Sequence, residues 1–184
     1  MNRTWIILGG IAAVLLIIFL MYRSSYNRAI SLQETVAEKW SNVGATYQRR
    51  ADLVPQLVAT VKGAAANERG ILTQVTEARA GIVKAQTPEE MDIMGKKINT
   101  AINLAFEAYP QIRSTENFAD LQTQLEGTEN RIAVARQAYN EAVKDYNGHI
   151  RGFFNSMFLS KTVFQPKVGF EEAAGAEKAP KVEF

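Results

Sequence analysis

At 184 residues, with 47% hydrophobic and 22% charged side chains, the chain has room for one ordinary globular domain and is too apolar to be disordered throughout. Its formal charge of +2 traces to Arg3 and Arg23, which flank an apolar stretch without acids; the remainder is balanced and lacks the basic footprint that nucleic-acid binding requires. The absence of cysteine rules out disulfides, thiolate metal sites and cysteine nucleophiles, and His149 is the single histidine.

Residues 5–22, WIILGGIAAVLLIIFLMY, carry no charge. As a helix they would span about 27 Å, close to the hydrocarbon thickness of a bilayer. Trp5 and Tyr22 stand at the two ends, where interfacial aromatics belong. A signal peptide would have a shorter apolar core and a small-residue cleavage site, and the SSYNR that follows is a poor one. Residues 1–23 are therefore expected to be an uncleaved, single-pass anchor in the lipid. Arg3 opposes Arg23 and Arg28 across it, so the charge rule is nearly balanced; the short positive tail favours an inside amino terminus and an extracytoplasmic domain.

Beyond the anchor the 3.6-residue period dominates, and the expected class is all-α: a transmembrane helix followed by an antiparallel four-helix bundle over residues 24–165. The first soluble segment, residues 25–50, sets Ile30, Val36, Trp40, Val43 and Tyr47 on one side. No Gly or Pro separates it from the anchor, so the two can form one helix. RRADLVPQL then signals a new start, with Asp52 as cap and Pro55 in the first turn. The second helix would run to about Ala85 on Leu57, Val58, Val61, Leu72, Val75 and Ile82. The alternative is one helix kinked at Pro55, at a cost of about 3 kcal/mol.

QTPEE is the clearest boundary: Thr87 caps, Pro88 takes the first helical position and Glu90 completes a capping box. The third helix carries Met91, Met94, Ile98, Ile102 and Phe106 and ends near Tyr109, before Pro110. The fourth, residues 117–153, is the longest, with Phe118, Leu125, Ile132, Tyr139, Tyr146 and Phe153 recurring every seven residues. An even number of traverses returns the chain to the membrane. What arrives there is FFNSMFLSKTVF, in which Phe153, Phe154, Met157, Phe158, Leu159 and Phe164 either pack under the bundle or meet the bilayer or another subunit. Residues 166–184 are expected to be a mobile tail. Yet PKVGF and the terminal PKVEF are near copies, and Pro180, Val182 and Phe184 offer a docking motif as the alternative.

The polar knot at the start of LEGTENRIAVARQAYN is expected to be structural. Glu126 and Glu129 lie one turn apart on one helix, not across a cleft as paired catalytic carboxylates would. No Gly-rich phosphate loop and no Glu-x-x-His pair occur, so no catalytic residue, cofactor or metal is expected. In the second helix Val54, Val61, Glu68, Val75 and Ile82 recur every seven residues, with Glu68 the intruder. Glu68 or Glu129 can meet Arg79, Arg131 or Arg136 of a neighbouring helix, with Glu126 and Asn130 beside them. Such pairs fix which helix faces which, and losing one partner of a buried pair costs about 3–5 kcal/mol. Gly127 would let a facing helix approach closely.

YN at Tyr26 and Asn27, WSNV at 40–43, RRADLVPQLVATVKG at 49–63, Glu68, ARA at 78–80, Tyr109–Pro110, LQTQLEGTENRIAVARQAYNEAVKDYN at 121–147 and the final PKVEF form a series. Through it the chain resembles the LemA family of single-anchor bacterial membrane proteins, over nearly its whole length. The resemblance implies a transmembrane segment with an antiparallel helical bundle, and no catalytic mechanism. Ala64 and Ala65 depart from the aromatic usual after VKG, and Asn67 from the histidine common before Glu68, which weakens a His-Glu metal site. The functional expectation is a non-enzymatic bacterial membrane scaffold that forms homo-oligomers. The alternative is an adaptor or regulator of another membrane machine, such as a protease or envelope-stress system.

Overall fold

The computed structural model describes residues 3–60, 65–108 and 116–171, and side chains within 5–56, 70–107 and 119–171. Every regular element among them is helical: α1 (Arg3–Thr60), α2 (Ala65–Lys84), α3 (Pro88–Ala108), α4 (Glu116–Arg151) and α5 (Phe153–Phe158). They form two compact units, one of α1 up to Glu38 with Glu141–Lys167, the other of Lys39–Asn140 with the residues from Val168.

The anchor and the first soluble segment are one helix, as the absence of any breaker between them allowed. α1 also continues through Pro55, which corrects the expected helix start at Asp52. Ala51, Leu53 and Val54 are buried around the proline. Burying aliphatic side chains at roughly 1.5–3 kcal/mol each offsets the ~3 kcal/mol that an interior proline costs. Asp52 does not cap; its carboxylate pairs with Arg79 of α2 at 3.0 Å. The expected second helix is thus divided, its first part belonging to α1 and its second to α2.

In the unit that includes the anchor, the residues from Trp5 to Ser24 are exposed, and α1 is long and apolar enough there to cross a membrane. From Ser25 onward one face of α1 is buried, through Ala29, Leu32 and Val36 rather than the expected Ile30. Ala142, Val143, Tyr146 and Ile150 supply the buried face of α4. α4 stops at Arg151 because Gly152 turns extended (φ −56°, ψ 141°) and starts α5. The heptad of α4 therefore does not include Phe153, which is 76% exposed. After α5 the chain turns back, and Asn147 exchanges two hydrogen bonds with the backbone of Lys167 (2.8 and 2.9 Å).

In the other unit the core includes, among the described residues, Val43, Tyr47 and Val54 of α1, Ile71, Val75 and Ile82 of α2, Met91, Ile98 and Ile102 of α3, and Leu125 and Ile132 of α4. Ile71 points inward and Leu72 outward, the reverse of the expected stripe. The Thr87 box starts α3 as expected: Thr87 Oγ1 accepts from Glu90 N at 3.2 Å. The Glu90 carboxylate accepts from the N–H of Gln86, one residue before the cap, at 2.8 Å. Tyr47 approaches Gly95 and Arg50 bonds Asn99, so numbering rises together along α1 and α3. Arg50 reaches Leu125 while Trp40 meets Tyr139, so α4 runs opposite to α1.

Candidate functional site

Three polar or aromatic clusters gather the side chains that the sequence singled out, together with several that it did not. The first centres on Arg50 of α1, whose side chain is only 11% exposed. It donates to Asn99 Oδ1 (3.0 Å), the Leu125 carbonyl (2.8 Å) and Thr128 Oγ1 (3.3 Å), and pairs with Glu129 at 2.9 Å. Burial lowers its pKa from the usual arginine value, and Glu129 pushes it back up. Glu129 therefore meets an arginine from α1, not Arg79, Arg131 or Arg136. Glu126 accepts from Gln122 on its own helix at 3.1 Å and faces, with Glu129, an open cavity of about 650 Å3. Among the described residues nothing lies within 4 Å of where a Gly127 Cβ would stand.

Arg136 anchors the second cluster. Its two terminal nitrogens bracket the Asp92 carboxylate of α3 at 3.0 and 3.3 Å, a two-pronged pairing that holds α3 to α4. Tyr47 adds its hydroxyl to Asp92 Oδ1 at 3.4 Å. Burial pushes the Tyr47 pKa up to about 12; Arg136 draws it down and Asp92 raises it further. Asn130 and Arg131, also expected in the lock, are exposed and line a shallow groove with Lys39, Asn42 and Val134. The side chain of Glu68 lies outside the described residues.

Tyr47 gives this cluster a pH dependence with a definite sign. The folded chain keeps the phenol proton up to about pH 12, while an ordinary tyrosine loses it near 10. The stabilisation is complete below pH 10 and disappears as pH rises through 12, a loss of up to about 3 kcal/mol at 1.36 kcal/mol per pKa unit. Urea unfolding in detergent at pH 9 and 11.5 should show a steeper decline for the wild type than for Tyr47→Phe. Equal declines would place the alkaline loss elsewhere, for instance on Tyr139 and Tyr146, which burial also pushes up.

Beside Arg136 lies a cleft that holds the start of the expected mobile tail. Phe170 is 5% exposed. Its ring stacks on Trp40 (5.9 Å, 22°), meets Tyr139 edge-on (5.5 Å, 74°) and lies 4.6 Å under the Arg136 guanidinium. Asn140 brackets the Phe170 backbone, accepting from its N–H at 2.7 Å and donating to its carbonyl at 3.0 Å. Tyr139 donates to the Val168 carbonyl (3.1 Å) and Arg136 to that of Glu171 (3.3 Å). Up to Glu171 the tail is docked, because one buried aromatic and four main-chain bonds outweigh the entropy of a short extended segment. Pro180, Val182 and Phe184 lie outside the described residues.

The third cluster holds α5 to α1, within the anchor-bearing unit. Ser25 Oγ donates to Asn155 Oδ1 at 2.8 Å, and Asn155 Nδ2 donates to the His149 carbonyl at 2.8 Å, closing the end of α4. His149 Nε2 lies 3.0 Å from the Ser25 carbonyl, which only accepts, so the proton sits on Nε2 and Nδ1 accepts from Asn155 at 3.3 Å. Phe158 meets Tyr22 edge-on and Phe164 meets Tyr26. The expected apolar interaction set thus divides. Leu159 and Phe164 are interior, Phe158 is half-buried, and Phe153, Phe154 and Met157 are 76, 60 and 70% exposed.

Residues 39–184 match the family model described as the LemA family. The chain belongs to the LemA family. Among its relatives is Protein LemA of Metamycoplasma hominis, 22% identical over 149 residues, which cover 79% of this chain and 68% of that protein. Magnetosome proteins MamQ 2 and MamQ 1 of Paramagnetospirillum magneticum are each 28% identical over 151 residues, 66% of this chain and 56% of theirs. The match to this chain thus spans little more than half of each MamQ protein. Of the quoted LemA-like motifs, RRADLVPQ supplies Arg50 and Asp52, and the long α4 motif supplies Glu129, Arg136, Tyr139, Asn140 and Asn147.

Proposed function

We propose that this LemA-family chain is a membrane-anchored, non-enzymatic scaffold: an antiparallel four-helix bundle carried on one span, outside the cytoplasm of a bacterium, whose copies associate in the membrane plane. The observation that carries this reading is the exposed apolar face of Phe153, Phe154 and Met157 on α5. The helix is pinned by Ser25 and Tyr22 to the place where the span of α1 ends. Confinement to two dimensions raises local concentration, so a small apolar contact suffices. The anchor supplies the lipid contact, and the polar clusters fix helix order.

The test is the particle mass of the full-length protein in mild detergent, corrected for bound detergent, for the wild type and for Phe154→Asp with Met157→Asp. A homomeric particle that falls toward 20.4 kDa in the double variant is the expected result. A wild type already near 20.4 kDa, or a variant of undiminished mass, rejects the α5 contact. An adaptor role, docking on another membrane machine through Pro180, Val182 and Phe184, draws support from the docking of the sister segment PKVGF. Deleting residues 172–184 separates the two: a defined partner lost at unchanged particle mass favours the adaptor.

A further inference from the structure

We propose that the cleft formed by Trp40, Arg136, Tyr139 and Asn140 is a peptide-binding site that accepts an extended Gly-Phe sequence, and that it discriminates between the chain's own two PKVxF segments. Its contacts with the occupant are of two kinds. Asn140, Tyr139 and Arg136 bond main-chain atoms of Val168, Phe170 and Glu171, which any extended peptide presents. The ring of Phe170 is gripped by two aromatics and a guanidinium, which demands an aromatic side chain at that one position. Val168 is exposed and goes unread.

The remaining position, 169, carries the selectivity. A Cβ there would stand 2.8 Å from Asn140 Oδ1 and 3.3 Å from Asn140 Cγ. Asn140 cannot yield cheaply, because the same oxygen accepts the Phe170 N–H and the same amide donates to the Phe170 carbonyl. Any residue but glycine therefore costs the cleft its two best-placed bonds. The terminal copy reads Pro180, Lys181, Val182, Glu183, Phe184 and puts glutamate at this position. The cleft takes the first copy and refuses the second.

The experiment uses full-length chains in detergent whose cleft is vacated by Phe170→Ala or, independently, by Gly169→Glu. Each is titrated with fluorescent peptides: QPKVGFEEA (residues 165–173), the same peptide with Gly169→Glu, and EKAPKVEF (residues 177–184). The first peptide should bind both hosts, and the two glutamate peptides at least tenfold more weakly. Changing Glu183→Gly in the third should recover the affinity. The Gly169→Glu chain should also be cut by trypsin after Lys167 faster than wild type while its helical circular dichroism is unchanged. Equal binding of glycine and glutamate peptides overturns the selectivity. Failure of the first peptide on both helical hosts, or wild-type cleavage kinetics in Gly169→Glu, overturns the site. None of these outcomes depends on particle mass, so the cleft and the scaffold reading stand or fall separately.

Discussion

Arg50→Ala is expected to lower the unfolding free energy by about 3 kcal/mol, whereas Glu129→Gln should cost less than about 1 kcal/mol. The asymmetry follows from exposure: Arg50 is 11% exposed and Glu129 57%. Water already screens the carboxylate, so the charge pair itself contributes little. The guanidinium, by contrast, bonds α3 through Asn99 and α4 through the Leu125 carbonyl and Thr128, and its aliphatic stem fills a seam position. Arg50→Lys should restore less than half of the loss, since an ammonium lacks the planar fork that serves several acceptors at once. Urea melts of the three variants in detergent would settle the order. A Glu129→Gln cost equal to that of Arg50→Ala would mean that charge attraction, not hydrogen bonding to two helices, holds the junction.

The second large effect is at Gly95, where the face of α3 touches Tyr47. A Cβ there would stand 2.5 Å from Tyr47 Cε1, and the tyrosine is itself buried and tied to Asp92. Gly95→Leu should therefore cost 3 kcal/mol or more, since overpacking a closed contact typically costs about 1–3 kcal/mol for far smaller insertions. Gly95→Ala should still destabilise by about 1 kcal/mol, after the roughly 1 kcal/mol gained in helix propensity. Gly81 provides the comparison. A Cβ there meets the Met94 side chain, whose flexible thioether can move aside. Gly81→Ala should be neutral or stabilising by up to about 1 kcal/mol. A melting temperature that rises for Gly95→Ala would show that the α1–α3 contact is loose.

The sequence made the helical class, the apolar span and the QTPEE start legible because each rests on a local signal: periodicity, length or a cap. Pro55 misled because its local cost is offset by burial contributed by other helices. Arg50 was missed although the signal was present. It falls at the spacing of Val43, Tyr47 and Val54, the one charged member of that row, just as Glu68 interrupts the row of α2. Arg136 was singled out, but its partner Asp92 lies 44 residues away and has no sequence pattern to mark it. The tail was read from composition as mobile. Its docking depends on Asn140 and Trp40, polar and aromatic residues on a helix face that ordinary amphipathicity would simply leave half-exposed.

The junction of Ser25 with Asn155 closes over 130 residues of intervening chain, and that of His149 with Ser25 over 124. At a ribosomal rate of about 5–20 residues per second, roughly 7–26 s pass between the emergence of Ser25 and that of its partner. The apolar stretch of α1 is made early, but the face of Ala29, Leu32 and Val36 just beyond it waits for Ala142, Val143, Tyr146 and Ile150 of α4 through most of that interval. Biogenesis of this protein therefore carries a vulnerable window whose length is set by topology and not by stability.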